Sequence, residues 1–131
     1  MTARRWIRLL GLVLVAGAFA SCSDEPSGPG TVTLTVQASV PLGAAVVELR
    51  GAGVHAVRSM ASGWVVMDRV AGETGEVRRL AIVQTQPGML SVEVDLADLG
   101  ADFPSLTVVG ASDANDLPLP SLGGVRASFQ K

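Results

Sequence analysis

This sequence of 131 residues has few of the side chains on which catalysis, metal binding and covalent cross-linking depend. It contains one cysteine, one histidine and no tyrosine, and aromatic residues make up only 4% of the chain. A single cysteine cannot form an intrachain disulfide, and one histidine with one cysteine cannot supply the usual ligands of a zinc site. The low aromatic content predicts a core of Val, Leu, Ile and Ala.

Basic residues are also few and scattered. The chain has 10 basic and 12 acidic residues, and Arg4, Arg5 and Arg8 lie at the N-terminus, which leaves 7 basic against 12 acidic in the remainder. Beyond residue 8 only Arg78 and Arg79 are adjacent. Binding to nucleic acid needs a concentrated basic face, so we expect no nucleic-acid partner. Binding to anionic lipid through a basic patch is disfavoured for the same reason.

No apolar run reaches the roughly 20 residues that a membrane-spanning helix needs. The longest run, Leu9 to Ala20, has 12 residues, follows the three arginines and ends at Ser21 and Cys22. A basic segment, an apolar segment and then small residues are the order of a secretory signal peptide. We therefore predict a signal helix in residues 1–21 and an exported protein. A plain signal peptide cut near Ala20, which would leave Cys22 as a free thiol, is the alternative.

The residues that end at Cys22 resemble the lipobox of bacterial lipoproteins, with Ala20 and Ser21 before the acceptor cysteine. Phe19 departs from the aliphatic residue usual at its position in that motif. The resemblance implies cleavage between Ser21 and Cys22, lipid modification of Cys22 and attachment to a membrane through that lipid. Ser23, where an aspartate would favour the inner membrane, implies the outer membrane of a two-membrane bacterium, on its periplasmic or surface face.

Residues 22–30 are predicted to form a flexible tether, because they are rich in proline, glycine and acidic side chains and have little apolar surface to bury. The pattern changes at Thr31. Apolar and polar residues alternate strictly from Thr31 to Val40 and again from Leu90 to Leu96, which is typical of half-buried strands. Residues 31–131 are therefore predicted to form one domain.

Further strands are expected between turn signals that recur about every ten residues. They are Ala45–Arg50, Val54–Arg58, Trp64–Val70, Val77–Thr85, Leu106–Ala111 and Val125–Phe129. The strand that begins at Trp64 is apolar on both faces, which predicts a central position in its sheet. Pro87–Gly88 predicts a turn, and residues 97–105 a longer connection with one helical turn. Seven to nine short strands without an amphipathic helix predict an all-β fold, a single β-sandwich.

Three short segments resemble the cohesin-like and immunoglobulin-like sandwiches of exported bacterial proteins. They are Ala44–Leu49, Gly88–Val92 and Ala111–Asn115, the last leading into a closing strand. The resemblance implies a sandwich of that kind. The domain is about 100 residues long and shorter than typical cohesins, so neither the dockerin-binding role nor any binding residue is carried over.

Candidate chemical groups are sparse in the domain. Asp113, Asn115 and Asp116 begin like a calcium-binding loop and form a weak candidate Ca²⁺ site, but Pro118 and Gly124 stand where an EF-hand loop needs Gly and Glu. Such residues are also ordinary turn formers, because their side chains bond to their own backbone.

Two other candidates have little sequence support. The carboxylates Asp95, Asp98 and Asp102 lie close together in the sequence, and His55 has no nucleophile in a recognisable catalytic context. Trp64, the single indole after the signal peptide, favours core packing over an exposed ligand platform.

These observations predict a non-catalytic, lipid-anchored envelope protein that needs no cofactor and whose sandwich binds a protein partner or has a structural role. The alternative is a lipoprotein that binds or carries a small ligand or a carbohydrate. An open apolar cavity between the sheets would favour that alternative.

Overall fold

The computed structural model of the chain describes residues 25–60, 64–71 and 75–131 and shows an all-β protein. The strands are β1 (Gly30–Gln37), β2 (Leu42–Arg50), β3 (Val54–Ser59), β4 (Trp64–Ala71), β5 (Val77–Gly88), β6 (Leu90–Leu96), β7 (Ser105–Asp113) and β8 (Arg126–Gln130). The described ranges contain no helix that could cross a membrane.

The eight strands form a sandwich of two antiparallel sheets. Sheet A has the order β3-β6-β1-β8, and sheet B has the order β4-β5-β2-β7. Among these strands only β4 and β5 follow each other within one sheet, so every other connection carries the chain from one sheet to the other. The edge strands are β3 and β8 in sheet A and β4 and β7 in sheet B.

The core lies between the sheets and follows from the alternation along each strand. Val32, Leu34 and Val36 of β1 are at most 3% exposed and pair with the buried residues Val94, Val92 and Leu90 of β6. Sheet B contributes a matching buried set: Leu42, Ala45, Val47, Leu49, Leu80 and Ile82. Among the described residues the fully buried large side chains are all Leu, Ile or Val, which confirms the expected aliphatic core.

The outer face of sheet A is polar. Thr31, Thr33 and Thr35 alternate with the core residues of β1, and the first two pair with Asp95 and Glu93 of β6. The Thr31 hydroxyl donates a hydrogen bond of 2.6 Å to Asp95, and Arg58 of β3 forms ion pairs with both carboxylates. The hydrogen bond from Thr31, followed by that from Arg58, lowers the pKa of Asp95.

The chain enters the domain at one end of the sandwich. The Gly28 amide donates to Asp98 Oδ1, and the Leu99 amide donates to the Gly28 carbonyl, each over 2.8 Å. The bonds from the Gly100 and Gly28 amides hold the pKa of Asp98 below its usual value. At the same end, Gly51 approaches Pro104 and the Ala97 amide donates to the Gly53 carbonyl. We call the end formed by residues 28–30, 51–53 and 97–104 the entry end.

The fold confirms the predicted single β-sandwich, and its eight strands lie within the predicted seven to nine. Three predictions about single elements are wrong. The strand that begins at Trp64 is an edge strand and not a central one. Residues 97–104 contain turns and no helical turn, and β5 continues through Pro87 to Gly88, which pairs with Leu42 of β2. The predicted signal helix, residues 1–21, lies outside the described residues.

Gly43 should be intolerant of a side chain. A Cβ atom there would lie 2.6 Å from the Asp113 carbonyl oxygen, where β2 shifts register against β7. We expect Gly43→Ala to lower the free energy of unfolding by about 1–3 kcal/mol, as overpacking does. Urea unfolding of the wild type and the variant measures this difference in free energy. Gly110→Ala on β7 is the matched control, since its Cβ would have no atom within 4 Å and its effect should stay within about 0.5 kcal/mol. Equal stability of the two variants would contradict the clash.

Candidate functional site

The outer face of sheet B differs from that of sheet A because two of its cross-strand rows are apolar. The antiparallel register aligns outward residues of β4, β5, β2 and β7 in that order. The first row is Val65, Val83, Ala44 and Ser112, and the second is Met67, Ala81, Val46 and Gly110. We call these two rows, together with Val109 at the β7 bulge, the apolar face.

Large side chains of the apolar face are exposed to solvent. Met67 is 60% exposed, Val65 is 54% exposed and Val83 is 42% exposed. Between them the small residues Ala44, Ala81 and Gly110 leave a shallow hollow of about 230 Å³ with an almost wholly apolar surface. Contiguous exposed apolar surface on a soluble domain is typical of an interaction site. Met67 adds a flexible side chain, which suits surfaces that adapt to a partner.

A charged row borders the apolar face on the side nearer the entry end. Arg69 of β4, Arg79 of β5 and Glu48 of β2 occupy neighbouring positions in it. Glu48 lies beneath two arginines, with its side chain 6% exposed. Arg79 Nε donates to Glu48 Oε2 over 3.0 Å, and Arg50 Nε donates to Glu48 Oε1 over 2.7 Å.

Three arginines and one carboxylate therefore occupy this border, and two of the arginines, Arg50 and Arg79, bind the carboxylate of Glu48. The hydrogen bond from Arg79, followed by that from Arg50, lowers the pKa of Glu48 against the opposing effect of desolvation. Arg50 and Arg79 remain about three-fifths exposed, and Arg69 is exposed with no ion pair among the described residues. The border of the apolar face is thus net positive, although the domain as a whole is acidic.

The predicted lipidation residue Cys22 and its neighbour Ser21 lie outside the described residues, so their roles remain predictions. The candidate calcium residues are described, and Asp113 is engaged in its own turn. Its Oδ1 accepts hydrogen bonds from the Asn115 amide over 2.8 Å and the Leu117 amide over 3.1 Å. Asn115 and Asp116 are exposed, and Asp116 has a left-handed φ of 61°. This geometry is that of an Asx turn.

The other candidate groups are separated. Asp95 belongs to the polar face of sheet A, whereas Asp98 binds backbone amides at the entry end. Within the described ranges no three His, Cys, Asp or Glu side chains lie close enough to hold a metal ion. His55 is exposed on β3. Trp64 pairs with Gln84 through its backbone, and its side chain is not among those described.

Comparison with protein-family models, with curated proteins and with solved structures finds no match to this chain. The candidate site therefore depends on geometry alone. Sequence reasoning missed the apolar face, because it interpreted the two apolar faces of the Trp64 strand as burial on both sides. The sequence nevertheless contained a signal for the apolar face: Val65 and Met67 of β4, and four consecutive apolar residues, Leu80–Val83, in β5. The arrangement is suited to binding an apolar surface that carries negative charge.

The Glu48 ion pairs should make part of the stability depend on pH. A carboxylate whose folded pKa is lowered stabilises the fold above its ordinary value of 4.5, and that contribution is lost as the pH falls through the folded value. We expect Glu48→Gln to be less stable than the wild type at pH 7, with the difference shrinking below pH 4.5. Urea unfolding at a series of pH values measures both proteins. A difference that is constant with pH would contradict this role of the charge.

Proposed function

We propose that this chain is an exported bacterial lipoprotein, anchored through lipid on Cys22, whose β-sandwich binds a partner protein with the apolar face of sheet B. The proposal that the domain binds a partner protein rests on one observation, the exposure of Val65, Met67 and Val83 beside the hollow. The anchoring part depends on the residues up to Cys22. We place the protein at the outer membrane because Ser23 follows the acceptor cysteine.

The charged row supports a particular kind of partner. Arg69, Arg79 and Arg50 present positive charge along one side of the apolar face, and Glu48, the carboxylate that Arg79 and Arg50 share, is buried under those two. Complementary charge across an interface favours association and suppresses wrong partners. The fitting partner is a protein surface that presents apolar side chains next to one or more carboxylates.

The position of the apolar face supports a protein rather than the bilayer as its occupant. The tether enters at the end of the sandwich where β2 finishes at Arg50. Ala44 and Val46 lie four to six residues earlier on β2, about 13–20 Å from that end at the usual rise of a strand. A domain that rests on a membrane with its entry end would keep the apolar face at about that distance from the lipid.

The small-ligand alternative has less support. The space between the sheets is filled by buried aliphatic side chains, and the hollow of the apolar face, about 230 Å³, is smaller than the roughly 300–1,000 Å³ of ligand pockets. A larger space of about 690 Å³ lies between β7 and β8, but it is an open groove whose surface is more polar than apolar.

Lipid attachment has a direct test. Cells labelled with radioactive palmitate should incorporate the label into the wild-type protein but not into Cys22→Ala, because the variant lacks the acceptor sulfur. The wild type should fractionate with outer membranes, whereas the variant should lose that association. Label retained by Cys22→Ala, or an unlabelled wild type, would contradict the anchor. This outcome does not depend on the apolar face.

Partner binding is tested by placing a photo-crosslinking amino acid at Val83 in living cells. We expect one envelope protein to be captured at Val83 and not at Gln130, an exposed position on the outer face of sheet A. The captured protein, once purified, should bind the wild-type domain at least tenfold more tightly than Ala81→Glu. That substitution puts a charge into the hollow and should leave the core intact.

The control for this variant is Gln130→Glu, which adds the same charge to the opposite face and should bind normally. Raised salt should weaken wild-type binding if the arginines of the charged row face carboxylates. Undiminished binding by Ala81→Glu would contradict the proposed site. Self-association of the purified domain that Ala81→Glu abolishes would assign the apolar face to a second copy instead.

A further inference from the structure

A second surface lies on the flank of the sandwich where the edge strands β7 and β8 face each other. An open groove of about 690 Å³ runs between them. Leu106–Val108 of β7 form one wall, Arg126–Ser128 of β8 form the other, and Leu122 and Val125 contribute apolar surface. Leu106, Val108 and Ala127 are inward residues of their strands and yet remain only half-buried. Apolar surface next to two sheet edges is thus left uncovered.

The chain itself already uses part of this edge. The Asp113 amide donates to the Leu117 carbonyl, the Leu119 amide donates to the Ala111 carbonyl, and Pro118 forms an antiparallel bridge with Ser112. Residues 117–119 therefore act as a short added strand against the last residues of β7. The chain then turns away towards β8, so none of the described strands pairs with residues 105–109 on this side. This open edge is about 16 Å long.

The register shows which backbone groups face the open side. The Ala111 carbonyl points away from β2 and accepts a hydrogen bond from the Leu119 amide. Along an antiparallel strand, residues whose N–H and C=O groups point to one neighbour alternate with residues whose groups point to the other side. The same alternation continues along β2 beyond the bulge. It makes Glu48–Thr107 and Arg50–Ser105 the hydrogen-bonded pairs of β2 and β7, and Val47–Val108 and Leu49–Leu106 the non-hydrogen-bonded pairs. Val108 and Leu106 therefore present their N–H and C=O groups to the groove, while their side chains point inward.

The open part of β7 also lacks the usual protection of an edge. Edge strands are commonly guarded against added strands by charged side chains or proline. The other three edge strands carry such charges: Arg58 on β3, Asp68 and Arg69 on β4, and Arg126 on β8. Residues 105–109 are Ser, Leu, Thr, Val and Val, with no charge and no proline.

We propose that the β7 edge binds an extended segment of a partner protein, which adds as a fifth strand to sheet B in continuation of residues 117–119. The segment runs antiparallel to β7, is about five residues long and alternates apolar with small polar side chains. Main-chain hydrogen bonds to Leu106 and Val108 supply affinity, and the groove between β7 and β8 selects apolar residues at alternate positions. This inference concerns the backbone edge of β7 and the groove beside it, which share only Val109 with the apolar face, and it does not rest on that face.

Amide hydrogen exchange tests the edge residue by residue. The probe is a capped peptide of sequence TVTLTVQ, which repeats the alternation of β1, and the control peptide TTTQVLV has the same composition without alternation. In the free domain the Leu106 and Val108 amides should exchange fast, while those of Ser105 and Thr107 are protected by β2. TVTLTVQ should slow exchange at Leu106 and Val108 at least tenfold, and TTTQVLV should not.

Variants separate strand addition from side-chain packing. Val108→Pro removes the outward N–H without breaking the ladder to β2, whereas Val108→Ala trims the side chain and keeps the N–H. Measured by fluorescence anisotropy, Val108→Pro should bind labelled TVTLTVQ at least tenfold more weakly than Val108→Ala. If circular dichroism shows Val108→Pro unfolded, Leu106→Pro against Leu106→Ala makes the same comparison.

Three other outcomes would contradict the proposal that a partner segment adds to the β7 edge. Unchanged exchange at Leu106 and Val108 with 1 mM TVTLTVQ, or protection of another strand instead, would overturn the proposal. Protection of these amides that rises with domain concentration without peptide would assign the edge to a second copy. Ala81→Glu should bind the peptide like the wild type, so failure here is distinguishable from failure of the apolar face.

Discussion

The structure depends on one constraint, the burial of an aliphatic face of each sheet against the other. The chain has a single cysteine and therefore no intrachain disulfide, and the fully buried large side chains of the described residues include no aromatic ring, so packing of Leu, Val and Ile stabilises the fold. Seven connections join the eight described strands, and only the one between β4 and β5 stays within a sheet, so each sheet is built from segments that alternate along the chain with those of the other. The polar positions of β1 and β6 are then free to form the outer face of sheet A.

The same constraint makes the outer face of sheet B informative. Residues there contribute nothing to the core, so an apolar composition has no explanation in the packing between the sheets. The outer face of sheet A, which also lies outside the core, is polar: threonines pair with Asp95 and Glu93, and Arg58 forms ion pairs with both carboxylates. The outer face of sheet B instead confines its charges to Glu48, Arg50, Arg69 and Arg79, and it exposes Val65 and Met67. The difference between the two faces supports a binding role for sheet B.

The sequence predicts the strands in which polar and apolar residues alternate. It does not predict the features that depend on the order of the strands in each sheet. β1 and β6 each have one polar and one apolar side, so their burial follows from the period of two. β4 is apolar on both sides, and its place at an edge follows only from the strand order, in which β2, far along the chain, pairs with the other side of β5. Pro87 suggests a turn locally, but Gly88 is held in β5 by Leu42. The apolar face and the open edge of β7 both require the strand order, which periodicity does not encode.

The proposed lipid anchor and the modest size of the apolar face fit each other. Two rows across four strands cover roughly 300 Å², estimated from strand spacings of about 4.8 Å and rows about 7 Å apart. A stable interface buries about 800 Å² on each partner, so this face alone would support a weak, transient contact. Confinement to a membrane surface raises the effective concentration of a neighbouring partner and makes a weak contact sufficient. A partner that also contributed a strand to the β7 edge would engage the domain at two surfaces and bind more tightly than through either alone.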